Sequence, residues 1–143
     1  MNTDRACIFC KIIAGEMPAT MVAEDEVTIA FMDINPVNEG HLLVVPREHH
    51  QSIASIPGSV LSHMALIARW LTVALRASLV RTEGVNLYLA DGAAAGQEVP
   101  HAHLHVIPRW RGDGIRISVG RPATPTREQL EEMAAQIRAA AID

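Results

Sequence analysis

The sequence predicts one α+β domain spanning residues 1–143, built on a five-stranded, mainly antiparallel sheet with a long amphipathic helix and a C-terminal helix on one of its faces. Three observations carry this reading. Short β-branched and apolar runs recur between turn-forming residues, as strands do. Between the third and fourth runs, Leu61, Met64, Ala65, Ala68, Leu71, Leu75 and Leu79 recur at three- and four-residue spacing from Gly58 to about Arg81, the period of a helix with one buried side. The last run, His101-Ala102-His103-Leu104-His105-Val106-Ile107-Pro108, alternates strictly, as a strand with two different faces does.

The elements follow in order. Lys11 to Ala14 reads as a helical turn ended by Gly15, and Met17-Pro18 as a break. Met21–Glu24 and Val27–Met32 form a hairpin about Asp25-Glu26. Leu42–Val45, led in by the turn Asn35-Pro36-Val37-Asn38-Glu39-Gly40 and stopped by Pro46, is the third strand. After the long helix, Val85–Ala90 is the fourth strand, and the small-residue loop Asp91–Gln97 lets backbone approach a ligand before the histidine strand. The last helix starts at Thr126, with Gln129 completing a capping box, and its buried stripe is Leu130, Met133, Ala134, Ile137 and Ala141.

Composition narrows the function classes. A chain of 143 residues that is 49% hydrophobic and 20% charged is a compact globular protein able to bury a core without a disulfide or metal. Its net charge of −4 offers no footprint for duplex nucleic acid, while leaving a single nucleotide possible. The opening residues lack the basic and apolar parts of a signal peptide, and no window is read as a membrane span, so a cytoplasmic location is expected.

The alternation at positions 101, 103 and 105 puts three imidazoles on one strand face, with Ala102, Leu104 and Val106 on the other. A neutral imidazole can act as nucleophile, proton carrier or metal ligand. Cys7 and Cys10, the only cysteines, have the spacing of a metal knuckle; a redox pair and plain thiols are the other readings. His63, one position before Met64 on the long helix, is read as a surface residue.

Several segments taken together resemble the histidine triad (HIT) superfamily, nearest its nucleoside phosphoramidase and dinucleoside polyphosphate hydrolase branches. They are Cys7-Ile8-Phe9-Cys10-Lys11-Ile12-Ile13, Phe31-Met32-Asp33-Ile34-Asn35-Pro36, Gly40-His41-Leu42-Leu43-Val44-Val45-Pro46, Ala95-Gly96-Gln97 and the three histidines, spanning about residues 7–141. The resemblance implies a nucleotide-binding hydrolase or transferase that cleaves at the α-phosphate of a purine nucleoside 5′-phosphoramidate or related conjugate. Dinucleoside polyphosphate hydrolysis, a nucleotide-binding regulatory module and a zinc-stabilised interaction protein are the alternatives.

By that resemblance His103 is the nucleophile and would carry a nucleotidyl group. His105 and the amide of Gln97 would contact the phosphate, and His41 would stand near the leaving group as a general acid. Asp33 would accept the ribose hydroxyls, and Ile8, Phe9, Ile12, Phe31 and Ile34 would line the base pocket. Structural Zn2+ would be held by Cys7, Cys10, His49 and His101, with the adjacent His50 as the alternative to His49. A homodimer paired through the long helix and fourth strand is also implied. One departure stands out, since Ala90 occupies the place where the family usually has an asparagine. Arg109, Arg111, Arg116 and Arg121 are read mostly as a solvated basic face.

Overall fold

The computed structural model describes residues 2–116, 120 and 124–141; Arg121 lies outside them. Five strands, β1 (Met21–Glu24), β2 (Thr28–Met32), β3 (Leu42–Pro46), β4 (Gly84–Tyr88) and β5 (Leu104–Arg109), form one sheet in the order β1-β2-β3-β5-β4. Every neighbouring pair is antiparallel. The helices are α1 (Ile8–Ile13), α2 (Gly58–Ala77) and α3 (Arg127–Ala140), with short 3-10 turns at Ile53–Ser55 and Ala93–Ala95.

The helices do not share one face, contrary to the sequence reading. α2 lays Met64, Ala68, Leu71 and Leu75 on Ala30, Leu42, Val44, Ala102 and Val106. On the opposite face, Cys7, Phe9 and Cys10 pack against Ile29, Phe31, Leu43 and Val45. β2 and β3 are therefore buried on both sides, and their runs are continuously apolar for that reason.

Three further expectations change. Leu130, Met133 and Ile137 of α3 are 49%, 61% and 65% exposed, so the predicted stripe covers no core among the described residues, although the Thr126–Gln129 capping box forms. Ala65 is exposed, and Leu79 lies beyond the end of α2 and is also exposed. α2 is long and apolar enough to cross a membrane by length and composition, which the sequence reading did not credit to any window; its inner face packs on the sheet.

Gly40 fixes the entry to β3. Its φ of +90° suits glycine, and an added Cβ would lie 2.7 Å from Val80 Cγ1 and 3.2 Å from Pro108 Cγ. The next residue, His41, is thereby held at the sheet's edge of the site. β5 begins only at Leu104, because His101–His103 bond elsewhere: the Ala102 N–H donates to the His50 carbonyl at 2.6 Å. Pro46, the last residue of β3, brings no N–H to a longer ladder.

Candidate functional site

His105 of β5, and His101 and His103 in the segment leading into it, share the α1 face of the sheet, with Ala102, Leu104 and Val106 turned into the α2 core. Phe9 of α1 meets this row edge-on, its ring centroid 5.8 Å from that of His101 and 5.1 Å from that of His103. The His103 and His105 centroids are 4.8 Å apart.

Backbone carbonyls and amides decide which nitrogen each ring offers. His103 donates its Nδ1–H to the His101 carbonyl at 2.7 Å, which leaves Nε2 as the basic nitrogen. His101 does the reverse, donating Nε2–H to the Pro46 carbonyl at 2.8 Å and leaving Nδ1 as the lone-pair atom. The Val37 N–H donates to His41 Nδ1 at 3.0 Å, so His41 carries its proton on Nε2 and donates to His105 Nδ1 at 2.8 Å. His105 then carries its own proton on Nε2. Asp33 Oδ2 lies 3.5 Å from His41 Nε2, while Asp33 Oδ1 accepts the Asn35 N–H at 2.8 Å.

Burial disfavours charge on all of these rings. It pushes His105 down to about 4, reinforced by the positive forms of His103 and His41. His41 is also lowered chiefly by burial. His103 is lowered by burial against the opposing pull of the His101 carbonyl and the carboxylates of Asp33 and Glu98. The rings are thus neutral near pH 7, the form in which the hydrogen-bond chain above is complete.

A second cluster adjoins the first. Cys7, Cys10, His49 and His101 bring their ligand atoms within 4.8 Å of one another. Cys7 Sγ and Cys10 Sγ lie 3.4 and 3.6 Å from His101 Nδ1, and His49 Nδ1 lies 3.4 Å from Cys10 Sγ and 3.2 Å from His101 Nδ1. Two thiols and two imidazole lone pairs converging at such distances suit a four-coordinate metal ion. His49 joins this cluster, while His50 stays out of it, its Nε2 buried with no hydrogen-bond partner. Asp33, His41 and His105 also group together, but the 2.8 Å between the two imidazole nitrogens is a hydrogen-bond length, so this group shares protons.

Residues 14–112 match the family described as HIT domain. The chain belongs to the HIT family. It is 41% identical over 132 residues, 92% of this chain and 95% of the relative, to an uncharacterised HIT-like protein of Borreliella burgdorferi. It is 34% identical over 148 residues, 96% of this chain and 97% of the relative, to the adenosine 5′-monophosphoramidase HNT1 of Candida albicans. The crystal structure of a Zn-bound histidine triad family protein from Mycobacterium smegmatis superposes with a TM-score of 0.75 at 34% identity, covering 95% of this chain and 98% of that one.

In this HIT protein the structure does not place every expected residue at the triad. Gln97 turns away: its Nε2 donates to the carbonyls of Gln51 at 2.8 Å and Val99 at 3.1 Å, and its Oε1 accepts the Gly92 N–H at 2.8 Å. Both amide hydrogens close the loop in this structure. His41 is only 2% exposed and is hydrogen-bonded to His105. Of the expected base-pocket residues, Phe9 and Phe31 are buried with centroids 5.5 Å apart and Ile12 packs beside them; Ile8 and Ile34 are exposed, Ile34 at 87%. Ala90 is buried, and the neighbouring Asp91 is engaged by Ser52 Oγ at 3.1 Å and the Ile53 N–H at 3.4 Å.

The sequence reading missed the backbone groups that assign the protons, at Val37, Pro46 and His101, because a carbonyl or amide carries no residue signature. It also missed Glu98. The signal available there was its place three residues before His101, with Val99 packing inward beside the α1 cluster.

Proposed function

We propose that this HIT-family chain is a nucleotide hydrolase or transferase acting at the α-phosphate of a purine nucleoside 5′-phosphoramidate or related nucleotide conjugate, through a nucleotidyl group carried on His103. The observation that carries this reading is the 2.7 Å bond from His103 Nδ1–H to the His101 carbonyl, which dedicates Nε2 to attack. Nε2 bonds to phosphorus as the P–N bond to the leaving amine breaks. The leaving amine takes its proton from solvent, while the His41 Nε2–H bond to His105 Nδ1 keeps a proton on His105 Nε2 for the phosphoryl group. Water then attacks phosphorus, the P–Nε2 bond breaks to release the nucleoside monophosphate, and the proton the water gives up passes to solvent.

Charge building on the phosphoryl oxygens is met by the His105 proton and the neutral, buried surroundings. Asp33 would accept the ribose hydroxyls with the lone pairs its Asn35 bond leaves free. Phe9, Phe31 and Ile12 would floor the base site, with Ile8 and Ile34 at its rim. The name of the Candida relative supports the phosphoramidate class.

Zinc is the metal we assign to Cys7, Cys10, His49 and His101. With Zn–N of about 2.0 Å and Zn–S of about 2.3 Å, a tetrahedron separates two nitrogens by about 3.3 Å and a nitrogen from a sulfur by about 3.5 Å. The distances of 3.2 Å and 3.4–3.6 Å match it. Bound there, zinc would supply a closed structural tie between the N-terminal arm and the residue two positions before the nucleophile. We also assign a homodimer, supported by exposed Leu66, Trp70 and Val73 on α2 and Leu87 and Tyr88 on the edge strand β4.

Incubation with an adenosine 5′-phosphoramidate tests the reading. Wild type releases AMP and His103→Ala does not; equal release by both would refute it. A second reading, a nucleotide-binding module with weak turnover, is favoured by the engaged amide of Gln97 and by Ala90, which together leave the loop without a side-chain donor. Slow release with micromolar AMP binding would select it.

A further inference from the structure

His41 stands at the end of a turn that neither core holds. Residues 34–39 belong to neither apolar cluster, and Ile34 and Val37 are 87% and 47% exposed. Yet this turn assigns the proton on His41. The Val37 N–H donates to Nδ1 at 3.0 Å, the His41 N–H donates to the Asn38 carbonyl at 3.1 Å, and the His41 carbonyl accepts the Asp33 N–H at 3.0 Å. An exposed turn closed only by its own bonds opens readily, so a lasting bond from Val37 to the ring needs an anchor outside the turn.

Asn38 supplies that anchor. Its Nδ2 donates one hydrogen to the Pro108 carbonyl at 2.9 Å and the other to Asp113 Oδ2 at 3.0 Å. Among the described residues, these are the turn's only hydrogen bonds to β5 or to the segment after it. The receiving end is firmly held. The Asp113 side chain is 4% exposed and accepts Arg109 Nε at 2.6 Å, Arg109 Nη2 at 3.1 Å, and the N–H groups of Trp110 and Ile115 at 3.3 and 3.1 Å. Arg109 also donates to Asn86 Oδ1 of β4 at 2.6 Å, so it does not belong to a solvated basic face as the sequence reading has it. A side-chain amide suits the anchor, because it puts two hydrogens on one nitrogen between a carbonyl and a carboxylate without bringing a charge.

We propose that Asn38 is a positioning residue for the His41–His105 pair: by tying the turn to Pro108 and to the Asp113–Arg109 ion pair, it keeps the Val37 amide on His41 Nδ1 and the His41 proton on Nε2. The kinetic consequence rests on the nucleotidyl-transfer reading given above; the proton assignment does not. With the tie cut, Val37 leaves Nδ1 and His41 can take its proton there. His41 Nε2 then turns a lone pair toward His105, whose own proton moves to Nδ1 to meet it. His105 Nε2 is left as a lone pair, which repels the phosphoryl oxygens that its N–H would otherwise bond.

Long-range 1H–15N correlation spectra of full-length Asn38→Ala test this. His101 Nε2–H and His103 Nδ1–H should persist, showing that the sheet and both clusters are intact, while His41 becomes a mixture of tautomers and His105 gains an Nδ1–H population. For AMP release from adenosine 5′-phosphoramidate, kcat should fall about tenfold with KM within twofold, less than the loss of a whole phosphoryl donor because part of the population keeps the wild-type tautomer. Asn38→Asp keeps the shape, removes both donors and sets a like charge against Asp113, so its shift should be larger; it decides the matter if Asn38→Ala fails to fold. His41 that keeps Nε2–H alone, or a kcat within twofold of wild type, overturns the proposal. Wild type that releases no AMP overturns the nucleotidyl-transfer reading alone, since the tautomers are read without substrate and still decide the role of Asn38.

Discussion

Two neighbouring clusters use the same residue type for different chemistry. In one, His101 joins Cys7, Cys10 and His49; in the other, His103 and His105 join His41 and Asp33. Both are buried, both lie on the α1 face, and their leading histidines are two residues apart. The separation comes from the backbone: Pro46 takes the Nε2 proton of His101, and the His101 carbonyl takes the Nδ1 proton of His103. Position on the strand puts the rings on one face, but the acceptor beneath each ring decides whether Nδ1 or Nε2 is left to act. His101 belongs to both clusters, its ring to the first and its carbonyl to the second.

The contrast can be broken most sharply at His103. His103→Ala should lower AMP release from a phosphoramidate by about 10⁴-fold, because only binding and electrostatic help remain, while metal content stays at the wild-type level. Cys7→Ala acts from the other cluster. It should abolish stoichiometric zinc by metal analysis, lower Tm by about 10 °C, and reduce kcat by about tenfold through the His101 carbonyl, with no contact to substrate. His41→Asn, which breaks the bond to His105 Nδ1, should cost about 10²-fold in kcat with KM little changed. Gln97→Ala should be the mildest, less than about tenfold, since the amide holds backbone; a loss near that of His41→Asn would restore it to the phosphate.

The pH profile sharpens the same comparison. His105 is held at about 4, so kcat should stay flat from pH 8 to about 5.5 and fall as the pH drops toward 4. An ordinary histidine would produce the fall near pH 6.5. The sign for stability agrees, because a histidine depressed on folding takes up its proton more readily in the unfolded chain. Its contribution is complete above about pH 6.5 and is lost as the pH falls through about 4, which acid unfolding of wild type against His105→Phe would measure.

Much of this was readable in the sequence, and the failures have physical causes. The β2 and β3 runs are set by local period and survive packing unchanged, and the alternation keeps its facing although residues 101–103 leave the ladder before β5 begins at Leu104. Which face each helix takes is a tertiary matter: nothing local in Ile8–Ile13 says that Phe9 will lie over His103 while α2 covers the other side. The α3 pattern marks an amphipathic helix correctly, yet a stripe says only that a helix has an apolar side. His49 and His50 are adjacent, and the choice between them falls to the chain direction after Pro46. Gln97 shows the opposite limit, a side chain of suitable type in a suitable loop whose hydrogen bonds are taken by Gln51 and Val99.

The central claim is that His101 and His103, in the segment that leads into β5, carry opposite tautomers. Long-range 1H–15N correlation spectra of the wild-type protein at pH 7.5 assign the proton of each ring directly. The account predicts Nε2–H for His101 and Nδ1–H for His103, with Nε2–H for His41 and His105; a His103 ring protonated at Nε2 would contradict it.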